Sequence, residues 1–213
     1  MRARFMKAAV LAPLVLAVPA MALAAAPDKA EKVASKMLGL DKAITTIGNQ
    51  IDLTLKSMNA LTATEGDLVA KYKTFSDNVT KLEKGVSKAK SAAESAKSQR
   101  EAYLAQWKDT QDKIQNPELK AASESRRAEL EPKIEAIKSS LTSARDEFQP
   151  FMADLKDLTL FLGNQLNPGG VTAASALFAK CNASGEKVKS DLSSGSAAVR
   201  DLAAAIQPGG ATK

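Results

Sequence analysis

The chain of 213 residues contains no histidine. That removes the commonest general base and the commonest metal ligand. Cysteine occurs once, at Cys181, so no internal disulfide can staple the fold and no C-x-x-C redox or zinc arrangement exists. Aromatic residues make up 4% of the sequence, while alanine, lysine, glutamate, serine and leucine are plentiful. With a helical period, that composition favours long helices over sheets. A glycine-rich phosphate loop and a G-x-S-x-G nucleophile motif are also missing. Carboxylates are abundant, but groups such as Glu83–Lys84–Lys88 and Glu131–Glu135–Lys138 sit beside lysines at the spacing of solvated helix faces. Asp154 and Asp157 share one face and form the sole carboxylate pair worth locating. The sequence therefore assigns no catalytic residue, no cofactor-binding residue and no metal ligand, and it predicts a non-enzymatic protein.

Charge of one sign is also in short supply. The formal net charge is +6, with acids and bases mixed throughout. Nucleic-acid binding needs a clustered basic stripe, so no nucleic-acid partner is expected. A weak attraction to anionic membrane or envelope surfaces remains compatible with the charge.

The opening residues read MRARFMKAAVLAPLVLAVPAMALAAAPDKAEK. Arg2, Arg4 and Lys7 precede an apolar run, and Ala22-Leu23-Ala24 fits a small-x-small cleavage pattern. The competing reading is an uncleaved anchor, since the run from Ala8 to Ala26 approaches the ~20 residues that a span needs. Pro13 and Pro19 interrupt it. The expectation is a signal peptide over residues 1–24, a mature chain from Ala25, and a periplasmic or secreted protein. No cysteine follows the apolar run, so no lipoprotein attachment point is present there.

What the sequence has in quantity is heptad spacing. One apolar seam starts Val33, Met37, Leu40, Ile44, Ile47, Ile51 and continues to Leu61. A second runs from Leu68 through Phe75, Leu82, Ala89, Ala96, Tyr103 and Trp107 to Thr110 and Ile114. A third runs from Leu119 through Ser123, Arg126, Leu130, Ile137, Ala144 and Phe151 to Leu162. The last runs from Ala174 through Cys181, Gly185, Val188 and Gly195 to Ile206. The pattern predicts an all-α fold: an elongated antiparallel bundle or coiled coil of about four long helices with a long central helical hairpin. Residues 25–206 read as one domain, and 207–213 as a disordered tail. Cys181, lying on a seam, reads as an inert buried thiol, with an intermolecular disulfide as the alternative.

The breaks carry their own signals. Thr64-Glu65-Gly66-Asp67 fits a capping box with Thr64 as N-cap. Asn116-Pro117 fits an N-cap followed by proline at the first helical position. Asn167-Pro168-Gly169-Gly170 reads as a helix stop and turn. Pro132 and Pro150 should each kink the helix or start a new turn, and because the third seam keeps phase through both they read as kinks and not domain boundaries. Folding the second helix onto the third about Asn116-Pro117 pairs Ala93 with Leu141, Ala89 with Ala144 and Trp107 with Arg126. Small would face large, and Ala93 should then reject a larger side chain. The tip of that hairpin holds the candidate partner-contact residues, Trp107, Arg126 and Arg127, with Arg127 expected to point to solvent.

The runs YLAQWKDTQDKI and LKAASESRRAEL, and later FQPFMADLKDLTLFLGNQLN, resemble a bacterial family known as domain of unknown function 2959. Pro150, Phe161, Leu162, Leu166 and Asn167 fall in step with it, and the resemblance covers roughly Met37 to Leu177. Gly39-Leu40-Asp41-Lys42 departs from the family pattern, and the lipobox cysteine of many members is absent. The resemblance implies a helical, envelope-located protein and supplies no reaction. Two functional readings follow. One is an exported scaffold or adaptor with an envelope protein partner, its seams closed on one another. The other is a holdase-like periplasmic chaperone or anionic-surface binder, with part of a seam left open. The oligomeric state is not fixed by the sequence.

Overall fold

The computed structural model describes residues 27–63 and 65–207. The expected signal segment, Thr64 and the tail beyond Gln207 lie outside them. Six α-helices follow in order: α1 Pro27–Asn59, α2 Leu68–Gln111, α3 Pro117–Ala128, α4 Glu131–Asn164, α5 Pro168–Ala173 and α6 Ser175–Ile206. A 3₁₀ turn, Ala60–Thr62, extends α1. The all-α expectation holds: α1, α2, α4 and α6 form an elongated antiparallel bundle, and α2–α3–α4 make the long hairpin. At 44 residues, α2 is about 66 Å long at 1.5 Å per residue.

The seams of α1 and α6 are buried along their whole length, from Val33 to Leu61 and from Ala174 to Ile206. These two helices form the middle of the bundle. The close approaches are α1 with α2, α4 with α6, and α1 with α6. Small residues on α6 permit them. A Cβ on Gly185 would lie 2.8 Å from Leu55 Cδ1, and one on Gly195 would lie 2.9 Å from Leu141 Cδ2. Polar pairs stitch the inner contact: Lys189 with Asp52 at 2.5 Å, Ser196 with Asp41, and Asn59 with Asn182 at 3.0 Å. Asn78, the first residue of an Asn-Val-Thr sequon, is engaged on α1 through Ser57 Oγ at 3.1 Å and the Leu53 carbonyl at 3.3 Å.

Three expectations are corrected. First, α2 and α4 do not pack closely against each other. The alanines of α2 let it settle onto α1, and they are too short to reach across to α4. Second, the N-cap of α2 is Asp67, whose side chain accepts from the Val69 N–H at 2.8 Å. Gly66 just before it takes φ +88°, a value that glycine adopts without penalty. Third, Pro132 starts a helix. The helix α3 ends at Ala128 and α4 begins at Glu131 with the proline in its first turn. Its missing N–H could not have bonded to the Ala128 carbonyl in a continuous helix. Pro150, by contrast, sits inside α4. There Phe148, Phe151 and Leu155 pack into the core on both sides of it and hold the two halves in phase.

The other two break signals fold as capped starts. Asn116 accepts from the Leu119 N–H at 3.0 Å. Asn167 accepts from the Gly170 N–H at 3.0 Å and opens α5, so the predicted stop is also a start. A Cβ on Gly170 would fall 2.1 Å from the Gln165 carbonyl oxygen, which leaves room only for glycine.

Candidate functional site

Because α2 holds to α1 and α4 holds to α6, a groove opens between the two outer helices. Its volume is about 490 Å³. Leu40, Ile44 and Ile47 of α1 and Val188 and Leu192 of α6 form the floor. Val86, Ala89 and Ala93 form one wall, and Leu141, Ala144, Phe148 and Met152 the other. The layers predicted to close the hairpin, Ala89 with Ala144 and Ala93 with Leu141, are therefore the walls of an opening. The groove does not run the length of the bundle. Phe75, Leu82 and Leu158 are fully buried beyond one end, and Ala96, Ile137 and Tyr103 are buried beyond the other.

The charged side chains that line the groove are of one sign. Lys90 of α2 and Arg145 and Lys156 of α4 line it with Gln149, and no carboxylate does. Lys156 reaches across to Glu83 of α2 at 2.7 Å. Arg145 is held by its neighbour Asp146 through Nε at 2.9 Å and a terminal nitrogen at 2.8 Å. Lys90 makes no ion pair among the described residues.

At the hairpin tip, Trp107 is 4% exposed. Its indole N–H donates to Ser123 Oγ at 2.9 Å, and the edge of its ring meets Tyr103 at a centroid distance of 5.7 Å. Arg126 donates to Glu129 at 2.8 Å and to the Ala205 carbonyl at 2.9 Å, which ties α3 to the last turn of α6. Burial raises the Tyr103 hydroxyl pKa, against the opposing charge of Arg126. Arg127 is half-buried with its Nε enclosed, and so is less solvent-facing than its offset from the seam predicted. It adds to the positive field around Asp112. The hydrogen bond from Lys108 is the main cause of that carboxyl's lowered pKa, and Lys120 and Arg127 contribute less. The three candidate contact residues thus gather at one end of the bundle, and two of them bind it together.

Heptad reading placed Thr110 in this seam, but Thr110 is exposed and Gln111 is buried. Gln111 donates to Glu124 at 3.1 Å. A straight helix drifts from the 3.5-residue repeat, and by the end of α2 the drift has moved the seam by one position.

Asp154 and Asp157 both act on Lys180, whose pKa they raise, Asp154 chiefly through its hydrogen bond. Asp154 is bound to Lys180 of α6 at 2.9 Å, while Asp157 is exposed. Cys181 is fully buried and free, and burial, helped by Asp154, pushes its thiol pKa up to about 12. No cluster of metal-ligating side chains occurs among the described residues, and no described helix is long and apolar enough to cross a membrane.

No curated protein and no solved structure matches the chain. The family described as "Protein of unknown function (DUF2959)" matches residues 28–206. That span extends beyond the stretch on which the resemblance rests, taking in all of α1 but its first residue and the whole of every later helix. The chain belongs to the DUF2959 family.

Proposed function

We propose that this protein is a non-enzymatic helical binding protein of the bacterial cell envelope, nearer the open-seam reading than the closed scaffold, that holds an apolar partner in the groove between α2 and α4. The observation that carries this reading is the open stretch of the α2 and α4 seams. A scaffold with every seam closed presents only its polar outside to a partner. Here Ala93, Leu141 and Phe148 stay half-buried at a concave apolar surface, the usual form of a ligand site. The envelope location is supported by the basic, apolar and small-residue order of residues 1–24 and by what the family resemblance implies.

Titration of the purified chain with the neutral dye Nile red tests the groove. Saturable fluorescence on native protein, lost in Ala93→Phe while the melting temperature is kept, supports the reading. No fluorescence, or fluorescence indifferent to Ala93→Phe, overturns it. Mass spectrometry of the protein from its native envelope fraction tests the location. A chain beginning at Ala25 supports export, and an intact N-terminus in a membrane pellet opposes it.

A further inference from the structure

We infer that the groove takes one long-chain anionic amphiphile, such as a long-chain carboxylate. The apolar chain lies between the walls, against the half-buried Ala93, Leu141 and Phe148, and the acid group sits at the mouth between Lys90 and Arg145. This rests on the groove being a binding site at all, and it adds the chemical class of the occupant.

The width argues for a slim ligand. Floor residues are almost closed to water, with Val188 at 0% exposure and Ile44 at 3%. A cleft wide enough to seat a helix of 10–12 Å diameter would leave that floor open. A single hydrocarbon chain can rest higher in the slot, on the half-buried Val86, Ala93, Leu141 and Phe148, without reaching the floor. The length is bounded too. From Leu141 to Lys156 the wall spans roughly 22 Å at 1.5 Å per residue, and packed layers close both ends.

Charge decides which end group fits. Every ionisable residue lining the groove is a cation. Lys156 is engaged by Glu83, and Arg145 is held in place at the mouth by Asp146. Lys90 remains the cation without an ion pair among the described residues, on the wall opposite Arg145. An anionic head there would give Lys90 the counter-charge that Glu83 and Asp146 already give the other two cations. A neutral amphiphile would gain only the apolar contact.

Calorimetric titration of the full chain with hexadecanoate, below its micelle-forming concentration, should show saturable one-to-one binding. Dodecanoate, four methylenes shorter, should bind on the order of a hundredfold more weakly, given the free energy of burying each CH₂. Hexadecanol should bind about tenfold more weakly, because it lacks the charge-assisted contact. Lys90→Gln should erase the preference for acid over alcohol, and Ala93→Phe should abolish both. If hexadecanol binds as tightly as hexadecanoate, or if neither binds while Nile red does, the anionic ligand class is wrong although the groove still binds. If neither binds and Nile red also fails, the groove reading falls with it. A concentration-dependent dimer in light scattering that Ala93→Phe disperses would make a second copy the occupant and overturn the inference.

Discussion

Tyr72 on α2 donates its hydroxyl hydrogen bond to the backbone carbonyl of Thr159 on α4 at 2.9 Å. That bond pins the two outer helices together beyond one end of the groove. Tyr72→Phe should cost about 1 kcal/mol in denaturant unfolding. Gly163 sits against the same hydroxyl, where an added Cβ would lie 2.8 Å from the oxygen. Alanine in a helix ordinarily gains about 1 kcal/mol over glycine. Gly163→Ala should therefore show that gain only in the Tyr72→Phe background. An equal gain in both backgrounds would contradict the pin.

Large-to-small changes should separate core from groove. Phe151 is fully buried beside Gly185 and Leu55, and Phe151→Ala should cost about 3–5 kcal/mol. Leu141 is half-buried at the groove wall, so Leu141→Ala should cost roughly half as much. Ala93→Leu should melt at or above the parent temperature, since the new side chain enters open space. The close hairpin expected from the sequence requires the reverse, and a sharp melting loss in Ala93→Leu would restore it.

At the tip, Ser123→Ala would strand the buried indole N–H of Trp107. The expected loss is about 1–3 kcal/mol. Trp107 is the single tryptophan, so its fluorescence reports the site directly, and emission should shift to the red as the ring loosens. An unchanged spectrum and stability would show that Ser123 is not its partner. Arg127→Glu should lower the melting temperature slightly by placing a carboxylate near Asp112, and added salt should reduce the effect. No salt dependence would argue against that neighbourhood.

Cys181 gives the stability a pH limit. Unfolded, its thiol ionises near 9.0, whereas folded it keeps its proton to about 12. Between those values the native state binds more protons than the unfolded state, so stability is full below pH 9 and falls as pH rises through the window. Cys181→Ala should lessen that fall. At pH 8 the native thiol should resist a disulfide reagent until denaturant is added. Rapid labelling of the folded chain would refute its burial.

Heptad spacing located the α1 and α6 seams residue by residue because each of these helices is covered by two close neighbours. A position facing either neighbour is then buried, and the apolar stripe and the core coincide. On α2 the stripe was found but its cover was mistaken. A run such as Ala89, Ala93 and Ala96 marks which face is apolar, and it does not say which helix comes close. Periodicity therefore could not distinguish alanines that let α1 approach from alanines that let α4 approach, and the groove was invisible for that reason. The cationic lining was hidden similarly. Lys90 and Arg145 lie 55 positions apart in the sequence, each among ordinary surface charges. The opposite fates of Pro132 and Pro150 depend on how firmly the flanking residues are held by another helix, which local sequence does not record.

The packed layers at the two ends of the groove leave it open along its flank alone. Nothing can be threaded through it lengthwise, as a polymer passes through a channel. An occupant must arrive broadside and leave the same way, past Lys90 on one lip and Arg145 on the other. A molecule much longer than the slot would have to bend out of it, so the spacing of the two closures sets a ruler for any occupant.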